Sequence, residues 1–253
     1  MNKKKKLKKP VKISIWIIII LIALVIGLIG FKYYSTLNKE LRPVVEEKEY
    51  YNISDFGFVD ERANYDQNKN GLDDIEDILV GEKEVIKNNP KYVSKYYENG
   101  YAPKNEGVCT DVIWYAFNTA GYDLKKLISQ DINNTRKKKV YDVPYPDPNI
   151  DFRRVYTQEI FLIRYGETLD NDMHEIGNYM PGDILVFDNS DHIAMVSEKY
   201  NKNGVPYLVQ NRDESQKQTE EDRLEKMDMK VTGHYRFKYS KKLQDLVDQT
   251  NKK

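Results

Sequence analysis

The stretch that settles the fold class is Pro181-Gly182-Asp183-Ile184-Leu185-Val186-Phe187, the polar interval Asp188-Asn189-Ser190-Asp191, and then His192-Ile193-Ala194-Met195-Val196-Ser197. Two short apolar runs parted by turn-forming residues predict a pair of antiparallel strands. Residues 206–210 and 231–239 extend the pattern, with Asn203-Gly204 as a further turn signal. Upstream the period changes. Val112, Ile113, Ala116 and Phe117 recur at helical spacing, as do Leu124, Leu127 and Ile128, and a further helix is predicted over 157–165. Between them, residues 141–149 hold Pro144, Pro146 and Pro148, which exclude regular structure and could wall a cleft. Helices followed by a sheet make an α+β fold.

The N-terminal end obeys different rules. Residues 1–12 carry seven lysines and no acid, which leaves the rest of a chain with 40 basic and 40 acidic residues mildly acidic. That balance excludes a nucleic-acid-binding surface. Residues 13–31 are apolar apart from Ser14, long enough for a hydrocarbon core of about 30 Å, and therefore predict a transmembrane anchor. The lysines should stay in the cytoplasm, placing everything after the span outside, on a single-pass cell-membrane protein. The domain reading is a cytoplasmic basic segment (1–12), the anchor (13–31), a tether (32–59), a calcium-type loop and helix (60–90), a main folded domain (91–240) and a polar tail (241–253).

Asp66-Gln67-Asn68-Lys69-Asn70-Gly71-Leu72-Asp73-Asp74-Ile75-Glu76-Asp77 has the spacing of an EF-hand-type loop. Side-chain oxygens of Asp66, Asn68, Asn70, Asp74 and Asp77 fall at positions 1, 3, 5, 9 and 12, and Leu72 would offer its carbonyl. Hard oxygen donors predict a structural Ca2+. Asp77 is shorter than the usual Glu, and Asp73 occupies a position that is usually apolar. The competing expectation is a solvated Asx turn capping the next helix. A glycine at 81 is expected to interrupt that helix, and the tyrosines that follow it, Tyr92, Tyr96, Tyr97 and Tyr101, are read as packing.

The chain has one cysteine, so no internal disulfide is possible. Cys109 lies in Gly107-Val108-Cys109-Thr110-Asp111-Val112-Ile113-Trp114, at the start of the first helix of the main domain. Unpaired amides and the helix dipole there favour a thiolate near neutral pH. A buried structural cysteine is the alternative. Of the three histidines, His192 begins a strand after a polar turn, whereas His174 and His234 read as structural or surface residues. His192, Ala194 and Val196 share a face, and the Cys109 helix is expected to pack on it, bringing thiol and imidazole together. The partner orienting the imidazole comes from the end of the next strand: Gln210, Asn211 or Asp213, according to the loop between.

Four blocks resemble the bacterial family known as domain of unknown function 1287: Gly107–Val112, Pro148-Asn149-Ile150-Asp151-Phe152-Arg153-Arg154, Pro181-Gly182-Asp183 with His192-Ile193, and Thr232-Gly233-His234-Tyr235-Arg236. The third block is also similar to NlpC-type papain-like cysteine peptidases, which cut peptidoglycan stem peptides. The resemblance implies Cys109 as nucleophile, His192 as base and Gln210 in the third position, with no catalytic cofactor. Gln210 stands where a histidine is usual, and Ala194 where glycine is. Its carbonyl can still accept the imidazole N–H. Asp111, Asp151, Arg153 and Arg154 are the candidate substrate-binding residues, the arginines for stem-peptide carboxylates. The expected function is a membrane-anchored extracytoplasmic peptidase or amidase. The alternative is a catalytically weak or inactive wall-binding module.

Overall fold

The computed structural model describes residues 9–40, 48–59, 62–172 and 176–252. Residues 1–8 of the basic segment, 41–47 of the tether, the boundary at 60–61 and His174 lie outside the described residues. The chain divides into two units, Met1–Lys48 and Glu49–Lys253. The first is helix α1 (Lys9–Glu40), whose stretch Ile18–Ser35 is long and apolar enough to cross a membrane. Its eighteen residues rise about 27 Å, and none of that stretch is buried within the protein.

The second unit sets α2 (Asp74–Asn88), α3 (Cys109–Thr119), α4 (Leu124–Thr135) and α5 (Val155–Tyr165) with a sheet, and closes with α6 (Lys241–Asn251). A small parallel pair, β1 (Lys91–Tyr92) and β2 (Glu106–Gly107), leads into α3. The main sheet contains β3 (Glu167–Thr168), β4 (Ile184–Phe187), β5 (His192–Tyr200), β6 (Pro206–Val209), β7 (Glu220–Glu221) and β8 (Val231–Arg236). Its order is β3-β8-β4-β5-β6-β7, antiparallel throughout. The α+β expectation, with helices followed by an antiparallel sheet, describes this arrangement.

Alternation along the central strands divides the core in two. Ile184, Val186, Ile193 and Met195 join Ile113, Phe117 and the other helical residues. Leu185, Phe187, Ala194 and Val196 pack with Tyr179, Leu208 and Leu224 on the opposite side. This corrects the expected packing of α3 on the face shared by His192, Ala194 and Val196. Helix α3 meets the Ile193 and Met195 face, and the His192 ring lies 5.8 Å from that of Phe187 in the other cluster. Both faces of these strands are covered, so both carry apolar residues, and the sequence has no polar alternation to mark which face meets the helices.

Three boundaries also differ from expectation. Helix α2 runs through Gly81 without a break, because α3 lies against it there. A Cβ at Gly81 would come within 2.6 Å of Thr119 Oγ1 and 2.8 Å of Ala116 Cα. The glycine is a close-approach point and not a stop. Residues 241–251 form a helix that buries Leu243, Leu246 and Val247 against the main core, where a polar tail was expected. The end of the expected tether belongs to the second unit: Tyr51 bridges to Tyr200, and Ile53 is buried with Met180 and Tyr200.

Helix α2 also carries a buried acid, Glu82, whose Oε1 has no hydrogen-bond partner. Burial raises its pKa well above the usual carboxylate range, Glu198 and Glu220 add to this, and Lys83 opposes it. The folded state therefore holds the proton more tightly than the unfolded chain. The stability it contributes is present at low pH and is lost as pH rises from the ordinary Glu range toward the raised value. Glu82→Gln should remove that loss, stabilising the fold by at least about 1 kcal/mol at pH 8 and little at pH 4. Urea unfolding of the two proteins at both pH values measures it.

Candidate active site

Cys109 is the first residue of α3, and the entry to that helix is held by a network around Asp111. Its Oδ2 accepts from the Val108 amide at 2.8 Å and its Oδ1 from Trp114 Nε1 at 2.8 Å. Arg153 closes the set with bonds of 2.7 Å to each carboxylate oxygen, and its Nη1 reaches Lys95 O at 2.8 Å. The guanidinium lies over the Tyr97 ring, 4.7 Å from its centre. Gly107 is needed because a Cβ there would meet the Asp111 side chain at 2.8–2.9 Å.

The register of β5 explains where the sulfur sits. Val196 exchanges backbone bonds with Gly182 and Asp183, so the even-numbered amides of β5 face β4 and the odd-numbered ones face β6. Pairing with β6 runs through Met195↔Val209 and ends there. The Ile193 amide, next in line, is thus open on the β6 side, and Cys109 takes its hydrogen bond. The sulfur lies in the gap where a longer β6 would have continued, at the amide of the residue that follows His192 in the chain. That gap is kept open by Asn211, whose Nδ2 leaves the sheet to donate to Gly107 O at 3.0 Å and Pro90 O at 3.2 Å.

Gln210, between the last paired residue of β6 and Asn211, turns its side chain to the histidine. His192 Nε2 and Gln210 Oε1 are 2.8 Å apart, both residues being buried. A carbonyl oxygen can only accept, so Nε2 carries the proton and Nδ1 the lone pair. Of the three candidate partners, Gln210 meets the imidazole, Asn211 clamps the Cys109 loop, and Asp213 pairs with Arg212 and Ser215. The hairpin register shifts by a bulge between Val196 and Tyr200, which the sequence does not disclose.

Cys109 keeps part of its surface open, yet burial pushes its thiol up to about 11. The amides of Ile193, Thr110 and Cys109 itself pull it down, and Asp111 adds to the rise. The expected resting thiolate is corrected accordingly: desolvation outweighs the helix terminus. His192 moves the other way. Burial lowers its pKa, the Gln210 bond opposes this, and Arg212 adds to the lowering while Asp191 and Asp213 oppose it. Burial thus favours the uncharged form of both groups.

Residues 80–237 match the model of the family described as Domain of unknown function (DUF1287). The chain belongs to that family. The Escherichia coli (strain K12) protein YijF, itself described as uncharacterized, is 33% identical over 153 residues, covering 58% of this chain and 72% of YijF. No solved structure matches the chain significantly. The DUF1287 segment thus begins inside α2 and includes every residue named around Cys109 and His192.

Within the DUF1287 segment, the expected substrate-binding residues have other partners. Asp111 and Arg153 hold each other, buried, under the Cys109 loop. Asp151 is buried, accepts from the Asp147 amide at 2.7 Å, and has its carboxyl raised by that burial. Arg154 alone is exposed, 3.8 Å from Asp151 Oδ1. Asp183 of the Pro-Gly-Asp block is likewise structural: it accepts from the Met180 amide, His234 Nε2 and Arg236. His234 is buried there, its Nδ1 2.8 Å from Asp170 O.

Ahead of the DUF1287 segment, Asp66 accepts from the Asn70 and Gly71 amides at 3.2 and 2.8 Å. Asn68 and Asn70 donate to Asp77 at 2.8 Å each. Asp74 stands apart from the other expected ligands, with Oδ1 on the Gln67 amide and Oδ2 on the Tyr122 hydroxyl. Leu72 is exposed on the loop. Among the described residues, no group of three or more His, Cys, Asp or Glu could hold a metal.

The Asp111–Arg153 pair is buried, so removing one partner strands the other charge. Arg153→Ala should destabilise the fold by about 3–5 kcal/mol. Chemical unfolding measures this; a loss of substrate affinity at unchanged stability would return Arg153 to the binding residues.

Proposed function

We propose that the protein is a membrane-anchored cysteine hydrolase of NlpC-type, papain-like architecture, acting outside the cell membrane on peptide amides of peptidoglycan. The observation that carries this reading is the Cys109 thiol on the Ile193 amide at the open end of β5, where the preceding residue, His192, is bonded to Gln210. In the reaction, His192 Nδ1 takes the thiol proton as Sγ attacks the amide carbonyl. Gln210 holds the proton on Nε2 and steadies the imidazolium. The first-turn amides at Cys109 and Thr110 provide donors for the oxyanion. Collapse of the tetrahedral intermediate expels the amine, which leaves with the proton held by His192, and water then hydrolyses the thioester.

The peptidoglycan substrate and the outward orientation rest on the family resemblance, helix α1 and the N-terminal lysines. The raised thiol and the uncharged Gln210 favour a second reading, a weakly active or inactive wall-binding module on the same fold. Digestion of purified muropeptides separates the two readings. Wild type should release new fragments and Cys109→Ala none; binding without cleavage by both would favour the module.

The pH profile follows from the two shifts. The neutral imidazole is the working base, and burial favours the neutral form, so the acidic limb should fall below the ordinary His value of about 6.5. With the thiol at about 11, no basic limb should appear below pH 9. A bell centred near pH 6 would instead indicate a resting thiolate–imidazolium pair.

For calcium, the donor set fits in part. Asp66, Asn68, Asn70 and Asp77 converge on one loop, and rotating the two amides would present oxygen in place of nitrogen. Asp74 is excluded by its own bonds. A structural Ca2+ held by the other four and the Leu72 carbonyl would brace the loop itself, the rotated Asn68 amide exchanging the bond its Nδ2 donates to Thr119 O for a metal contact. Calorimetry should record millimolar or tighter Ca2+ binding, lost in Asp66→Ala. No heat at millimolar Ca2+ would remove the metal.

A further inference from the structure

The turn that delivers His192 holds three consecutive non-glycine residues in the left-handed region: Asp188 at φ +46°, Asn189 at +56° and Ser190 at +74°. Aspartate and asparagine tolerate that conformation; serine does so less readily. Such strain persists only where the surroundings enforce it. Asp188 is held by a reciprocal pair of bonds with Lys230, of 3.0 and 2.9 Å, and the Asn189 amide donates to Thr232 Oγ1 at 2.9 Å. Ser190, the residue of highest φ and two before His192, is held by α5: its hydroxyl donates to Glu159 Oε2.

The neighbour of Glu159 on the same helix secures the nucleophile. Gln158 is buried, and its Nε2 donates to Thr110 O at 3.0 Å and Phe152 O at 2.9 Å, within and below the first turn of α3. Thr110 returns a bond from Oγ1 to Arg153 O at 3.0 Å. Successive helical side chains diverge by about 100°, so one helix can grip two elements with two adjacent residues. Helix α5 grips the Cys109 helix through residue 158 and the His192 turn through residue 159. The other oxygen of Glu159 accepts from Tyr235 OH at 2.9 Å, which ties the carboxylate to β8.

We propose that Glu159 is a positioning residue: through Ser190 it holds the strained turn from which His192 enters β5, while Gln158 fixes the first turn of the Cys109 helix from the same helix. This rests on the hydrolase reading above and extends it to residues outside the reacting groups. A turn used only for packing would be better served by glycine at position 190, which takes φ +74° without cost. Serine keeps the strain and gains the tether.

That comparison makes the test. Cys109 is the only cysteine, so the rate of iodoacetamide alkylation of the detergent-solubilised full chain reports it alone. Ser190→Gly should melt at or above the wild-type temperature and yet alkylate at least fivefold more slowly at pH 7.5. Glu159→Ala should match that loss. Glu159→Gln, which keeps an acceptor oxygen, should retain most of the rate. In Ser190→Gly and Glu159→Ala the His192-dependent inflection of the pH profile should also weaken. Wild-type rates and inflection in these two variants overturn the proposal, and so does a Ser190→Gly protein whose melting temperature and reactivity fall together. A wild type no faster than His192→Ala would overturn the hydrolase reading and this one with it; a clear His192 dependence with indifferent Glu159 variants overturns this one alone.

Discussion

The parting of β6 from β5 after Val209 is the constraint on which the site depends. A sheet whose strands stayed paired would satisfy the Ile193 amide internally and leave no space for the start of a helix. Asn211 forces the parting by spending its amide on Gly107 and Pro90, which belong to the loop that carries the cysteine. One divergence therefore opens the amide, brings in the sulfur and sends Gln210 toward the imidazole.

Charge is distributed so that burial favours the neutral forms of Cys109 and His192 while the scaffold around them is ionic. Arg153 and Asp111 meet in bidentate geometry under the loop, and Asp183 gathers Arg236 and His234 at the base of the hairpin. Buried ion pairs of this kind contribute little net stability, but they allow few alternative arrangements. The thiol and the imidazole are shifted chiefly by desolvation, in opposite directions, with smaller contributions from Asp111 on the thiol and from Arg212, Asp191 and Asp213 on the imidazole.

Much of the architecture could be read from periodicity. The strand runs at 184–187, 192–197 and 206–210 became β4, β5 and β6, and the helix after Cys109 ends just before Gly121. The docking of α6 was less visible, because Leu243, Leu246 and Val247 are few apolar residues among many charges. Arg153 illustrates the limit on site residues. Arginine beside a proline-rich segment looks like a carboxylate receptor, and only its burial against Asp111 assigns it to the scaffold. Nothing in the sequence marked Gln158 or Glu159, whose partners Thr110 and Ser190 lie 48 and 31 residues away.

By itself, the sequence determined that an apolar helix precedes an α+β unit, that one cysteine opens a helix, and that one histidine opens a strand. These are local properties, set by side-chain period, turn residues and composition. The tertiary structure decided which face of β5 meets α3, which of Gln210, Asn211 and Asp213 reaches the imidazole, and how far the thiol is withdrawn from water. Each of these depends on a strand register, a bulge or the exclusion of water by distant residues, and such quantities exist only once the chain has packed.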